Sequence, residues 1–209
     1  MNINMNISIP SNSEAEALLD WAHNLNPGPW AEHCRVAAKA AATIAQAVGL
    51  DQDRAYVSGL LHDIGRYEGV RGLHHVYAGY DLLTQKGYPI LAEICLSHSF
   101  TYQDLRAYSG GDYDCTPEEI AVITGYLEKA QYNEYDKLIQ LCDCLGSVEG
   151  VCLIEKRLVN VVRRHGTNDF TIRKWDAYFE LKDYFDGLLQ GNIYDLFYDE
   201  IRIATFERG

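Results

Sequence analysis

Residues 59–67 read GLLHDIGRY. An apolar run ends on two adjacent ionisable residues, His62 and Asp63, followed by Ile64, a glycine and Arg66. Two readings compete. One is a helix with a polar C-terminal end. The other is a helix that delivers a histidine and a carboxylate to a buried metal ion. The segments on either side decide between them.

Working outward, the run closes a helix expected from about Asp51 to Ile64. Upstream, an alanine-rich helix is expected over 30–48, with Pro29 in its first turn and Gly49 at its end. A short helix precedes it over 13–25, with Ser13 as N-cap. Downstream, helices are expected over 73–86 and 89–98. Residues 99–116, SFTYQDLRAYSGGDYDCT, break all periodicity and form a long loop, a kind that is often functional. Thr116 and Pro117 then open a helix over 117–130. Further helices follow over 134–146, 150–164 and 171–190, and about 193–204. No alternating strand pattern is convincing, so the fold class is all-α, a helical bundle.

The chain has 209 residues, 47% hydrophobic and 23% charged, as expected of a soluble globular protein able to bury a core. It holds no apolar run near ~18 residues, which argues against a membrane span. Residues 1–12 lack a basic and apolar signal pattern and read as a flexible leader. Six cysteines without secretory context read as reduced thiols in a cytoplasmic protein. The net charge of −12 argues against nucleic-acid binding, which relies on Lys and Arg neutralising phosphates. An anionic substrate would need local positive charge from metal ions or a few placed arginines. Oligomeric state is not readable.

Helical spacing tests the metal reading, because residues three and four apart share a face. His33 lines up with Val36, Ala37, Ala40 and Ile44, an apolar stripe. His62 and Asp63 follow Gly59, which leaves room beside them. His75 shares its face with Ala78, Gly79 and Leu82, whereas His74 faces Tyr77 and Asp81. His98 shares its face with Leu91, Ile94 and Cys95, and Asp143 with Ile139. Four histidines and two aspartates thus point inward on five helices. One such residue is ordinarily a satisfied core group, but six strain that reading, since each buried carboxylate needs a partner. One or two divalent ions satisfy all of them, and imidazole with carboxylate suits zinc, iron or manganese.

These residues resemble the HD superfamily of metal-dependent phosphohydrolases. The resemblance rests on His33, on His62-Asp63 some thirty residues later, and on the distant Asp143 in LCDCLG; LLHDIGR is similar to the HDIG form of the signature. HHVYAG and LSHSF are similar to the segments carrying two extra histidines in dinuclear members. It covers roughly residues 30–146. It implies an HD-type metal-binding core over 13–146, with a C-terminal helical extension over 147–209 packed on it. It also implies a first metal held by His33, His62, Asp63 and Asp143, and a second held by the bridging Asp63 with His75 and His98. The ions are not distinguished among Fe, Mn, Zn, Ni, Co and Mg. Asp63 and Arg66 are implied as catalytic, with Arg66 facing a substrate phosphate; a helix-end cation is the equal alternative for Arg66.

The implied function is hydrolysis of a phosphoester or phosphoanhydride bond in a small, anionic, nucleotide-like substrate. The alternative is a non-catalytic HD-like domain that binds metal or nucleotide as a regulator. A plain helical interaction protein leaves the six inward polar residues unexplained. Because the 99–116 loop starts directly after His98, Arg106 and Tyr102 are further substrate-binding candidates. The basic stretch at 155–166, EKRLVNVVRRHG, reads as a solvated helix face.

Overall fold

The computed structural model describes residues 8–206, with side chains as far as residue 203. Residues 1–7 of the expected leader lie outside the described residues. The described chain is helical nearly throughout. Helix α1 spans Asn12–Leu25, α2 Trp30–Val48 and α3 Gln52–Leu61. A 3-10 turn over Ile64–Glu68 leads to α4, His74–Gln85, and α5, Pro89–Ser97. The long loop holds only a 3-10 turn at Leu105–Ala107 before α6, Pro117–Leu127, and α7, Glu134–Leu145. The C-terminal part contains α8, Ile154–His165, and α9, Thr171–Leu189, then a 3-10 turn at Ile193–Phe197 and α10, Tyr198–Phe206. All six cysteines are free thiols. No helix among the described residues is long and apolar enough to cross a membrane.

Three details differ from the sequence reading. The N-cap of α1 is Ser11, not Ser13. Both serines stand three before a glutamate, so the sequence holds two overlapping capping boxes. Glu14 closes the box with Ser11, while Glu16 is taken by the Tyr56 hydroxyl and Arg35. Second, α3 stops at Leu61 and the chain tightens into a 3-10 turn after Asp63. Third, a small antiparallel hairpin, β1 (Gly146–Ser147) and β2 (Gly150–Val151), separates α7 from α8. Two-residue strands are too short to show alternation.

Small residues decide how closely the helices approach. The inner face of α2 is almost all alanine: Ala37, Ala38, Ala41 and Ala45 are fully buried. That lets α3 lie directly on its backbone. A Cβ at Gly59 would sit 2.8 Å from Ala38 Cα and 3.0 Å from Ala38 N. The 3-10 turn meets α4 still more tightly, since a Cβ at Gly65 would sit 2.0 Å from the His75 carbonyl oxygen and 2.4 Å from Gly79 N. Gly65 therefore brings Asp63 beside His75.

Three apolar clusters surround this junction. One joins α2 and α7 to the C-terminal helices through Ile44, Leu138, Leu141 and Phe185. A second joins α1, α2, α3 and α5 through Leu19, Ala38, Leu60 and Leu91. A third lies under the 99–116 loop, around Leu73, Leu96, Phe100 and Ile123. The buried polar groups lie at the seam of the three.

Two glycine-to-alanine substitutions separate close packing from backbone entropy. Gly59→Ala is expected to destabilise by about 1–3 kcal/mol, as overpacking does. Gly125, inside α6, has nothing within 4 Å of its hypothetical Cβ. Gly125→Ala is expected to stabilise by roughly 0.5–1 kcal/mol. Urea midpoints measure both; a loss of the same size at the two positions would reject close approach as the cause.

Candidate metal centre

Five segments each bring donors to the seam. The first turn of α2 supplies His33, the end of α3 His62 and Asp63, the start of α4 His75, the end of α5 His98, and the last turn of α7 Asp143. His62, His75 and His98 are each no more than 2% exposed, His33 is 7% and Asp63 4%. Asp143 is half-buried. The imidazole rings form a chain, with centroids 5.3 Å apart for His33 and His62, 5.1 Å for His62 and His98, and 5.4 Å for His75 and His98.

The main chain sets the tautomers. His62 Nδ1 lies 2.7 Å from Gly59 O, His75 Nδ1 2.5 Å from Gly72 O, and His98 Nδ1 2.8 Å from Cys95 O, each three residues back. His33 Nδ1 lies 3.2 Å from Gly146 O. A carbonyl oxygen only accepts, so each Nδ1 carries the proton and donates it. In its neutral form each ring then presents a lone pair at Nε2. A histidine that donates its other nitrogen in this way is oriented as a metal ligand is.

These Nε2 atoms meet carboxylate oxygens and one another, and only where a ring is protonated can such a contact be a hydrogen bond, as His33 makes to Asp143. His33 Nε2 is 2.9 Å and His62 Nε2 3.7 Å from Asp143 Oδ1. His75 Nε2 is 3.1 Å and His98 Nε2 3.3 Å from Asp63 Oδ1, and the two Nε2 atoms are 3.3 Å apart. Yet His62 Nε2 and Asp63 Oδ1 are buried and make no hydrogen bond. Buried polar atoms are rarely left so. The spacing is that of ligands around a common centre. At this seam two donor sets lie close enough to share an ion, His33–His62–Asp63 and Asp63–His75–His98, with Asp63 common to both; a third set, His74–Cys115–Glu119, lies apart from it. Nitrogen and carboxylate donors of this kind fit a divalent transition metal.

Electrostatics favours ionised carboxylates and neutral His33 and His75, whereas at His62 burial opposes the charge but Asp143 and Asp63 outweigh it and raise the imidazole pKa. Burial opposes the charge on Asp63, but Arg66, His75 and His98 outweigh it and hold the carboxyl well below the usual range. Burial likewise opposes Asp143, and His33 and His62 overcome it. Burial pushes the His33 and His75 imidazoles down, keeping the rings neutral. Burial raises the neighbouring thiols of Cys34, Cys95 and Cys142, so these sulfurs stay protonated.

A cavity of about 390 Å³ opens over the donors. Arg66 lines it and bonds Asp63 Oδ2 through Nε at 2.5 Å. Tyr108 lines it with a buried hydroxyl that has no hydrogen-bond partner. Tyr102 and Arg106 are not brought to this cavity. Arg106 is held in a fork by Asp104, with its side chain 74% exposed, and Tyr102 packs on Phe170 at 5.8 Å. Both brace the loop: Arg106 stands over Phe170, and Asn168 bonds the carbonyls of Arg106 and Tyr108. His74 lies outside the group, bonded to Glu68 and Glu119.

The basic stretch expected to be a solvated face is instead partly a wall of the cavity. Arg157, Val161, Arg164 and His165 on α8, with Lys174, Trp175 and Tyr178 on α9, all line it. The signal was present in the spacing, since residues 157, 161, 164 and 165 share one helical face. What the sequence lacked was the placement of that face.

A family model, HD domain, matches residues 30–146, more than half of the chain. No curated protein and no solved structure matches the chain.

Metal removal tests the fit without turnover. Adding Mn²⁺, Fe²⁺ or Zn²⁺ to chelator-treated protein is expected to raise its Tm, by about 2.7 kcal/mol of stabilisation at a hundredfold excess over Kd. Asp63→Ala is expected to keep its helical circular dichroism and lose that rise. An Asp63→Ala variant that binds metal as well as the parent would reject Asp63 as a shared ligand.

Proposed function

Because the chain belongs to the HD domain family, whose members bind divalent metals and are mostly metal-dependent hydrolases, we propose that it is a phosphohydrolase acting on a small, anionic, nucleotide-like substrate. The observation that carries this reading is the buried, unbonded pair His62 Nε2 and Asp63 Oδ1 inside a ring of inward lone pairs. His33, His62, Asp63 and Asp143 would hold one divalent ion, and Asp63, His75 and His98 a second. Ions there would supply an acidified water nucleophile and Lewis-acid contact to a phosphoryl oxygen.

The chain's own residues do the rest. Arg66 uses only Nε on Asp63, so its two terminal nitrogens are left for phosphoryl oxygens, which a guanidinium fork matches well. Tyr108 offers an unspent hydroxyl donor on the same wall. Burial raises its pKa, so the proton stays in place to be donated. Trp30, Trp175 and Tyr178 give the cavity aromatic surfaces, the kind a nucleobase stacks on. The cavity volume is in the range of small-molecule sites. The 99–116 segment, packed down by Phe100 and Tyr108, lends Ser99, Tyr108, Ser109 and Gly110 to the cavity wall.

A chromogenic phosphomonoester and phosphodiester, assayed with each metal in turn, test the proposal. Turnover is expected with metal, abolished by chelator. Arg66→Gln is expected to lower kcat by roughly 10²–10³-fold with little change in metal content, as loss of one transition-state contact does. Metal and nucleotide binding without turnover of any phosphoester or phosphoanhydride would instead favour the regulatory domain.

A further inference from the structure

The charges lining the cavity are lopsided. Five of the chain's 18 Lys and Arg residues line it: Arg66, Arg71, Arg157, Arg164 and Lys174. Among the described residues, the only carboxylates on its wall are Asp63 and Asp143, both within the donor group. This occurs in a chain of net charge −12. Arg66 is committed to Asp63 and stands at the floor. Arg157 reaches Asp143 only at 3.9 Å. Among the described residues Arg164 and Lys174 make no ion pair; Arg164 bonds a main-chain carbonyl and Lys174 the Ser109 hydroxyl. Burial, then the charges of Arg157 and Arg66, lower the pKa of Arg164, the mark of cations facing one another across a shared space. Like charges collected without carboxylates destabilise a fold unless an anion joins them.

From this geometry we propose that α8 and α9 form a second anion subsite, in which Arg157, Arg164 and Lys174 hold a phosphoryl group beyond the one at Asp63 and Arg66, so that the substrate is a di- or polyphosphate and not a monoester. The proposal rests on the reading of this cavity as the substrate site, and it assigns the C-terminal helices a recognition role. The reacting phosphoryl lies at the floor with Arg66; the rest of the phosphate chain runs outward along Arg157 to Arg164, which is exposed at the mouth.

The test needs neither metal nor turnover, so its failure is distinct from failure of the hydrolase reading. Isothermal calorimetry of the metal-free, full-length chain uses orthophosphate, pyrophosphate and tripolyphosphate as probes. Tripolyphosphate is expected to bind at least tenfold more tightly than orthophosphate. Arg157→Gln with Arg164→Gln is expected to remove that advantage. Arg163→Gln, one residue away but outside the cavity wall, is expected to keep it. If the double variant does not fold, the exposed Arg164→Gln alone is expected to reduce tripolyphosphate affinity about threefold or more. Equal affinity for orthophosphate and tripolyphosphate overturns the proposal. So does an equal loss in Arg163→Gln, which would mean general electrostatics and no subsite.

Discussion

Imidazole nitrogens turned onto buried carboxylate oxygens are the constraint around which this protein is arranged. Four imidazole Nε2 atoms and two carboxylates converge where three apolar clusters meet, with more acceptors than protons to share among them. One water has only two protons to lend to this many acceptors, whereas a divalent cation satisfies them together. The surrounding design is consistent with that need: alanine along α2, Gly59 where α3 crosses it, and Gly65 where the 3-10 turn meets α4. Each brings backbones close enough for side chains from sequence-distant segments to converge. The cost of burying ionised carboxylates is large, and Arg66 offsets part of it on one side of Asp63.

Much of this was legible in the sequence because the relevant signals are local. Apolar periodicity marked the helices, and the same periodicity sorted inward from outward histidines, placing His75 in the group and His74 outside it. Thr116 with Pro117 marked the start of α6 correctly. The failures have physical reasons. Two capping boxes overlap at Ser11 and Ser13, and only the tertiary partners of Glu16 decide between them. A 3-10 turn after Asp63 is set by contact with α4, not by propensity. Tyr102 and Arg106 follow His98 in sequence, yet the loop turns them toward Phe170. The basic face of α8 was visible, but which surface it covers depends on packing across a chain reversal.

The charge distribution follows a division of labour. The chain as a whole is acidic, which repels anions at long range. Inside the cavity the sign reverses, through arginines contributed by the 3-10 turn and by α8. A substrate that is anionic must therefore leave a repelling field to enter an attracting one. Such an arrangement disfavours polyanions too large for the cavity, whose remaining charge stays outside against an acidic surface.

The acceptors that pin the four imidazoles are all main-chain carbonyls. In many ligand spheres a second carboxylate does this work, and one substitution removes it. Here no codon change at Gly59, Gly72, Cys95 or Gly146 deletes the oxygen; it can only shift the backbone. Tautomer control is thereby written into the chain trace and not into side-chain identity. Three of the four positions are glycines where a Cβ would meet a neighbour at 2.8, 2.1 and 3.1 Å (Gly59, Gly72 and Gly146), so the close packing of the chain and the aim of the imidazoles are fixed by the same residues.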